Sequence, residues 1–526
     1  MPPSKRGYPR PSIRSVVSIM DIKKSLQTAG ILSLIIILTK LLGFAKSIFI
    51  AAYFGAGNMT DGFFLAILAP EFMAFLMEVS LPIVTIPVLV DYISQKKFDD
   101  AWRIISTLIN FALLFSLFLV AVGEICIRPF FSIFLSTDDS QAFAEIIKIT
   151  RIILPTIVPV GVFGIILGAL NALKKFVWPA TTQLVNNLII IGGIVLLGRM
   201  LGIYGLVVGV FGGAIIKLCL LLPSLGRDNF KYSFVLHLRH PGVKKIWKLL
   251  PPILGVALAS RANYLFGRLF AAGLEDGSVS FLTYSNQLTQ MPLAFFVVTL
   301  STVLLPKFSY DIVQGETAEV KNTLHKSIKV LFLILIPCQL FLIFYSIPLV
   351  QLLFQRGAFP NTATQPTAYA VLWYSVGLFT WAVIEPIKRA YYAREETWMP
   401  SIIGIASVML NLTLCLFLIH TSLKHAGIAL ATSIANCFYM FVLTFIYKRQ
   451  TQGIEILNLI FYLLRVVISG FASIAFSIRL TGYMEIVSPF ILLSVAAVIV
   501  IPTYLAILKI LQLLTVLFHQ RIKRIK

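Results

Sequence analysis

The chain contains 526 residues, of which 58% are hydrophobic and 13% charged, and its mean hydropathy is +0.91. This composition is too apolar for one or several soluble domains, and it predicts a polytopic membrane protein. The formal net charge of +22 would suggest a nucleic-acid partner in a soluble protein. Here most Lys and Arg residues lie in short segments between apolar runs, so we attribute the charge to orientation in the membrane. We therefore predict no nucleic-acid partner.

About fourteen apolar runs are long enough to cross a membrane, since a span needs about twenty mostly apolar residues. The runs begin near Ile31, Gly62, Trp102, Ile146, Thr182, Ile203, Lys248, Val279, Ile328, Ala368, Ser401, Ala426, Leu457 and Glu485. Lys and Arg concentrate in alternate connections between these runs, which is the positive-inside pattern. This pattern predicts that both termini are cytoplasmic, and it requires an even number of spans.

The two halves of the sequence resemble each other at an offset of about 220 residues. IAAYFGAG at residues 50–57 recurs as FAAGLEDG at 270–277, and PIVTIPVLVDY at 82–92 recurs as STVLLPKFSYD at 301–311. An offset of about six helices predicts two similar halves in the same orientation, related by an axis along the membrane normal. The alternative is a relic of gene duplication on an inert scaffold.

These patterns predict an all-α polytopic membrane protein with about fourteen transmembrane helices, arranged as two pseudo-symmetric six-helix bundles plus two C-terminal helices. The predicted divisions are a basic cytoplasmic N-terminal segment (1–26), an N-terminal bundle (27–226), a cytoplasmic linker (227–246), a C-terminal bundle (247–450), two extra transmembrane helices (451–515) and a basic cytoplasmic tail (516–526).

Two basic residues interrupt the first apolar run of each half. Lys40 and Lys46 lie in the first half, and Arg261 and Arg268 lie close to the corresponding positions of the second. Charges at bilayer depth usually face a bundle interior or a water-filled cavity. We therefore predict an anion-binding cavity between the halves, where Arg can bind phosphate with two hydrogen bonds and Lys supplies a compact charge. The alternative is that these side chains extend along apolar surface to the membrane interface.

Four acidic residues are candidates for ion pairs or gates. Glu71 and Glu78 lie seven residues apart on one helical face, and Glu385 precedes a proline within a span. Asp61 either has a functional role or caps its own helix. By contrast, we expect Lys217 to lie near the end of its span.

No GxxxxGK[ST], HExxH or GxSxG motif is present in the sequence. We therefore predict neither an enzyme nor a cofactor or metal site. Without a nucleotide site, the free energy for transport would come from an ion gradient or the membrane potential, which is typical of a secondary carrier.

Four segments resemble the MurJ/MviN family of lipid II flippases, within the MATE-like exporters of the MOP superfamily. They are KLLGFAKSIFIAAYFGAGNMTDGFFLA (40–66), FQRGAF (354–359), YSVGL (374–378) and LKHAGIALA (423–431). The resemblance covers nearly the whole chain. It implies a multi-pass protein of the bacterial inner membrane that moves lipid II, the undecaprenyl-pyrophosphate-linked peptidoglycan precursor, from the cytoplasmic to the outer leaflet by alternating access.

The resemblance also implies roles for individual residues. In the family, two basic residues of the first helix face the central cavity, and Lys40 and Lys46 occupy these positions in place of Arg. Asp61 matches the acidic residue that opens the second helix, and Glu78 matches its Glu if one residue is deleted nearby. The family's C-terminal spans form a groove proposed to hold the lipid tail, which suits the pair of spans after Leu457.

Two positions depart from the family pattern. The Arg of the family's second helix falls at Ala74, and the basic residue of its eighth helix falls at Gln287. We expect Arg261 and Arg268 to restore the missing positive charge, with Asn286 and Gln287 as candidate polar residues of the cavity. The alternatives are a flippase for another polyprenyl-linked glycan, a MATE-like drug exporter, and a membrane scaffold that transports nothing.

Overall fold

The computed structural model describes residues 19–134, 140–226, 230–451, 454–482 and 488–525, and these residues contain helices and connections without a β-strand. Helices of the first half are α1 (Ile19–Phe54), α2 (Asn58–Ala66), α3 (Leu68–Ser94), α4 (Phe98–Phe134), α5 (Ser140–Ile153), α6 (Ile157–Ala172), α7 (Val177–Gly192), α8 (Gly198–Leu201) and α9 (Ile203–Gly226). Helices of the second half are α10 (Pro241–Ala272), α11 (Ser278–Pro292), α12 (Val298–Val313), α13 (Thr317–Phe344), α14 (Ser346–Leu353), α15 (Asn361–Val376), α16 (Trp381–Ala393), α17 (Trp398–Leu418) and α18 (His425–Thr451). The chain ends with α19 (Ile456–Gly482) and α20 (Pro489–Ile525).

Thirteen segments of the described chain are long and apolar enough to cross a membrane. The helix α10 stands where the remaining predicted span begins, and it starts at Pro241, within the segment that the sequence assigns to the linker. The predicted start of the last span, near Glu485, lies outside the described residues, as does most of the predicted N-terminal basic segment. The prediction of an all-α polytopic membrane protein is confirmed.

The turns between helices repeat in the two halves. Of the nine described residues with a left-handed backbone, eight form four pairs about 220 residues apart. The pairs are Gly55 with Gly277, Lys96 with Gly315, Lys174 with Glu395, and Gly202 with Lys424. Two of these pairs have glycine in one half and lysine in the other, and a third pairs Lys174 with Glu395. The backbone conformation is therefore repeated even where the residue type is not. This agrees with the offset read from the sequence.

The helix α10 lies where the two halves meet. It packs on α3 and α4 of the first half and on α17 of the second. Trp247, near its start, contacts Phe111 of α4 with ring centroids 4.4 Å apart. Because both predicted arginines lie on α10, the helix carries them into the contact between the halves.

The last two helices pack as a pair against α13. Tyr504 donates a hydrogen bond to the carbonyl of Leu333 at 3.0 Å, and the hydroxyls of Tyr345 and Ser477 lie 2.9 Å apart. At the start of α19, Lys321 pairs with Glu455 at 2.7 Å, and this contact lowers the pKa of the Glu455 carboxyl below its ordinary value. The two C-terminal helices are therefore attached to the second half through α13 and α14.

Candidate functional site: a cationic cluster between the halves

The two halves join at one end through a backbone contact that requires glycine. The amide of Ala358 donates to the carbonyl of Ala52 at 2.8 Å, and the hydroxyl of Tyr284 donates to the carbonyl of Gly55 at 2.8 Å. Gly357 has a φ of +58°, and a Cβ there would lie 2.2 Å from the Ala52 oxygen. A side chain at this position would both strain the backbone and push the halves apart. We call this contact the closed seam.

Asp61 extends the closed seam to the start of α11. Its carboxylate accepts hydrogen bonds from the backbone amides of Gly277 and Ser280, each at 2.8 Å, and from the Ser280 hydroxyl. The alternative that Asp61 caps its own helix is wrong, because α2 begins at Asn58 after Gly57 and no side chain caps it. A carboxylate at a helix start satisfies free amides and the positive end of the helix dipole. Asp61 thus binds one half to the other.

Arg268 crosses from α10 to the first half. Its Nη1 lies 3.3 Å from the carbonyl oxygen of Phe64 and 3.8 Å from a carboxylate oxygen of Glu71. The guanidinium also lies over the Tyr264 ring, 4.1 Å from its centroid. The residue is only 6% exposed. Arg268 therefore faces the interior of the protein, and does not extend to the membrane interface.

Arg261 lies two turns earlier on α10, beside the same acidic residue. Its guanidinium stacks over Phe75, 4.0 Å from the ring centroid. A narrow gap between α3 and α10, with room for about one water molecule, is lined by Leu68, Glu71, Phe72, Arg261, Tyr264 and Leu265. Within the described parts of the chain, Arg261 forms no ion pair with a carboxylate. The guanidinium is held by aromatic faces, which leaves its N–H groups available to a ligand.

The two lysines of α1 differ in position. Lys46 is half-buried and interacts electrostatically with Glu71 and Arg268, so it belongs to the same group of charges. Lys40 is exposed. The structure therefore brings Lys46, Arg261 and Arg268 together around Glu71, whereas the exposed Lys40 makes no ion pair with a described residue. We call these three cations with Glu71 the cationic cluster.

Glu78 pairs with a residue that the sequence analysis placed elsewhere. Lys217 on α9 lies 2.5 Å from the Glu78 carboxylate, and its ammonium lies 4.2 Å from the centroid of the Phe163 ring. The Lys217 side chain is 6% exposed. Lys217 lies well inside the candidate span Ile203–Gly226, so the prediction that it lies near a span end is wrong. A lone Lys in an apolar helix, with an unpaired Glu in another, was the available signal, but sequence does not show which helices touch.

The other predicted residues lie at or beyond the edge of the cationic cluster. Asn286 and Gln287 are half-buried on α11, and the Asn286 side chain hydrogen-bonds the Tyr374 hydroxyl, which lies within electrostatic range of Arg268.

Glu385 forms a local group on α16. It pairs with Lys388 at 2.6 Å and with Arg389 at 3.5 Å, one turn along the same helix. It therefore does not pair with the cations of α1 and α10.

The arrangement suits an anion. Three cations surround one carboxylate, and the second carboxylate, Glu78, is neutralised by Lys217. The excess of positive charge lies in a largely buried site, where an unmatched charge interacts strongly with any ligand of opposite sign. Two arginines at such a site can bind the oxygens of a phosphate group.

Comparison with known proteins identifies the family. The family model described as lipid II flippase MurJ matches residues 50–500. The chain belongs to the MurJ family. The "Probable lipid II flippase MurJ" of Buchnera aphidicola from Acyrthosiphon pisum is 27% identical over 84% of this chain and 87% of that protein. The "Lipid II flippase MurJ" of Burkholderia cenocepacia is 28% identical over 76% of this chain and 79% of its own length.

Solved structures show the same fold. A lipid II flippase MurJ in an inward closed conformation superimposes with a TM-score of 0.80 at 24% identity, covering 91% of this chain and 98% of that chain. An inward-facing multidrug resistance transporter of the MATE family superimposes with a TM-score of 0.70 at 14% identity, covering 79% and 95%. The MurJ fold therefore accounts for nearly the whole chain.

Removing Lys217 should destabilise this MurJ-family protein. Lys217→Met leaves the Glu78 carboxylate at membrane depth without a counter-charge. We expect the free energy of unfolding to fall by about 3 to 5 kcal/mol, as when one partner of a buried ion pair is removed. Thermal and denaturant unfolding of the purified protein in detergent would measure the change.

A matched control breaks an exposed ion pair. Arg151→Met removes the pair with Glu124 at 3.3 Å, and should change stability by about 1 kcal/mol or less. Adding Glu78→Gln to Lys217→Met should recover most of the loss. Equal losses of stability in Lys217→Met and Arg151→Met would show that the buried pair is not the cause. The same conclusion would follow if the variant with both Lys217→Met and Glu78→Gln recovered none of the lost stability.

Proposed function

We propose that the protein is a secondary carrier that flips lipid II from the cytoplasmic to the outer leaflet by alternating access. Membership of the MurJ family supports this function. The observation that carries it is the cationic cluster at the contact between the two halves, where Lys46, Arg261 and Arg268 surround Glu71.

The diphosphate of the lipid-linked precursor is the part that the cationic cluster would bind. A diphosphate diester carries two negative charges, and the cluster has two more positive charges than negative ones. Arg261 has its N–H groups available, while Arg268 would exchange the Glu71 carboxylate, 3.8 Å away, for a phosphate oxygen. Arginine matches phosphate geometry with paired hydrogen bonds.

The position of Arg261 supports the proposal that it replaces a missing family residue. The Arg of the family's second helix falls at Ala74 in this chain, and the next residue, Phe75, is the ring over which the Arg261 guanidinium stacks at 4.0 Å. A guanidinium supplied from α10 thus reaches the part of α3 where the family carries its own. We propose that the charge of the site is retained while the helix that supplies it has changed.

Alternating access would require the closed seam to open. The seam consists of a few backbone and carboxylate hydrogen bonds, including those of Ala358 with Ala52 and of Asp61 with Ser280. Hydrogen bonds between neutral groups contribute about 1 kcal/mol each and those to a charged group about 1.5 to 3 kcal/mol, so a small set can separate without unfolding either half. We propose that this end faces the outer side, since the basic connections of the positive-inside pattern lie at the other.

The remaining parts of the proposal concern the polyprenyl tail and the energy source. One face of α19 exposes Phe461, Leu464, Ile468 and Phe471, which would lie against lipid or a polyprenyl chain.

Moving two negative charges outward across a membrane that is negative inside is favourable by about 5 kcal/mol per 100 mV. The membrane potential could therefore drive transport without a nucleotide.

A MATE-like drug exporter is the first rival function. An exporter of cationic drugs needs carboxylates to dominate its cavity. In the described chain the cations dominate, because Glu78 is neutralised by Lys217 and Glu71 faces three basic residues. A scaffold that transports nothing would have no need of a half-buried guanidinium that lacks a carboxylate partner, as Arg261 does among the described residues. We therefore favour a carrier of an anion.

Loss of both arginines should abolish transport. We expect Arg261→Ala together with Arg268→Ala to lower the flipping rate by tenfold or more, because each hydrogen bond to a charged group contributes about 1.5 to 3 kcal/mol. The measurement is flipping of labelled lipid II in reconstituted vesicles, with accumulated lipid II in a flippase-depleted bacterium as a second readout.

Two control variants distinguish loss of the binding site from a general loss of positive charge. Arg151→Ala together with Arg199→Ala removes two exposed arginines and should leave flipping unchanged. Arg268→Lys should retain part of the activity. Unchanged flipping in the Arg261→Ala and Arg268→Ala double variant would contradict the proposed binding site. Failure of the unaltered protein to rescue the bacterium would favour another polyprenyl-linked glycan as substrate.

Locking the closed seam should stop transport reversibly. Ala52→Cys and Ala358→Cys place two thiols at the backbone contact between the halves, in a chain whose five native cysteines are replaced. We expect a short thiol crosslinker or oxidant to block flipping, and a reductant to restore it when a disulfide has formed. Either single cysteine variant serves as the control. Full activity of the crosslinked protein would show that this end need not open.

A further inference from the structure

The connection between the halves runs along the side of a membrane helix. Residues 230–237 run beside α4 without regular secondary structure, and residues 238–240 form a turn. The Asn110 amide donates to the carbonyls of Ser233 at 3.1 Å and Val235 at 3.0 Å, and the Tyr232 hydroxyl donates to the Asn110 Oδ1. The Ser233 amide donates to the Ser106 hydroxyl at 3.2 Å. These bonds attach the segment to α4, whereas the side chains of Phe234 and Leu236 remain exposed.

Three large apolar side chains of this segment are exposed at every second position. They are Phe234, Leu236 and Leu238, with exposed fractions of 85%, 45% and 44%. Together they form an exposed hydrophobic patch. Such a patch in contact with water would be costly, and it usually marks a surface that contacts another phase or molecule.

The position of this segment along α4 indicates the level of the membrane interface. Phe230 contacts Trp102, with ring centroids 5.5 Å apart, and Asn110 lies two turns further along the helix. Arg103 is the last charged residue before an uncharged stretch that extends to Glu124, and this stretch is about as long as a membrane span. The segment therefore lies beside the point where α4 enters the hydrocarbon.

Basic residues flank the apolar patch. Four exposed basic residues lie in or just after the segment and form no ion pair with a described residue: Lys231, Arg239, Lys244 and Lys248. The neighbouring Lys245 differs, because it pairs with Asp91 at 3.7 Å. Basic residues beside apolar ones at a membrane surface attract anionic headgroups, at about 1 kcal/mol for each Lys or Arg.

We propose that residues 230–248 form a membrane-surface segment that binds anionic phospholipids of the adjacent leaflet. The side chains of Phe234, Leu236 and Leu238 insert among the acyl chains, and the four basic residues contact the phosphates. A protein partner would fit the patch less well, because the segment is held flat against a transmembrane helix and its free side faces the bilayer. This inference does not depend on the transported substrate.

The insertion is tested by a spin label at Phe234→Cys, in the full-length chain with its five native cysteines replaced by serine and its melting temperature retained. In vesicles of phosphatidylcholine and phosphatidylglycerol, the label should collide more often with oxygen than with a water-soluble nickel chelate. A label at Phe441, which is 69% exposed on α18, should behave likewise, and a label at Glu316 should show the reverse. A water-like result at residue 234 overturns the proposal. A low collision rate with both reagents would mean that a protein surface shields residue 234, and this result would also overturn the proposal.

Headgroup binding is tested by changing the four basic residues to glutamine. The variant with Lys231→Gln, Arg239→Gln, Lys244→Gln and Lys248→Gln should lose at least about tenfold in affinity for phosphatidylglycerol over phosphatidylcholine. Mass spectrometry of lipids retained by the purified protein would measure this preference. The matched control carries Lys97→Gln, Lys326→Gln, Lys448→Gln and Arg449→Gln at other exposed positions. An equal loss in both variants would mean a net-charge effect and would overturn the specific site.

Discussion

The structure depends on the buried guanidinium that joins the two halves. Arg268 is 6% exposed and reaches the Phe64 carbonyl and Glu71 on the opposite half. A cation at membrane depth costs several kcal/mol when it has no partner. Any separation of α10 from α3 must therefore supply a replacement for Glu71. A phosphate group can replace it, and an empty cavity cannot, so substrate chemistry and movement of the halves are linked through one side chain.

The helix α10 belongs to both halves, which explains how this link could work. Its first turns contact α4 through Trp247 and Phe111, and the helix also packs against α17 of the second half. Both arginines lie beyond these first turns, where they contact α2 and α3. In the proposed cycle, movement of the second half would carry Arg261 and Arg268 relative to α3 while the start of the helix stays in place. The linker, hydrogen-bonded to Asn110, would hold that end.

The sequence predicted the spans and the two halves well because long apolar runs and repeated turns are local features. It was less informative about contacts between distant helices. Glu78 and Lys217 are 139 residues apart, and only packing of α3 against α9 shows that they pair. Asp61 lies near a helix start, where local capping is the usual role, yet α2 begins three residues earlier and its carboxylate reaches α11. Composition likewise did not separate Lys46 from the exposed Lys40.

The balance of charge in the cationic cluster suggests why a loaded carrier would move differently from an empty one. Because Glu78 is bound to Lys217, the cluster has two net positive charges when Lys46, Arg261 and Arg268 face only Glu71. In the proposed cycle a diphosphate brings this sum to zero, which reduces the cost of enclosing the site in a low-dielectric environment. The empty site is positive again after release. A membrane potential that is negative inside then favours its return toward the cytoplasmic side, so the same charges that bind the substrate also give the cycle its direction.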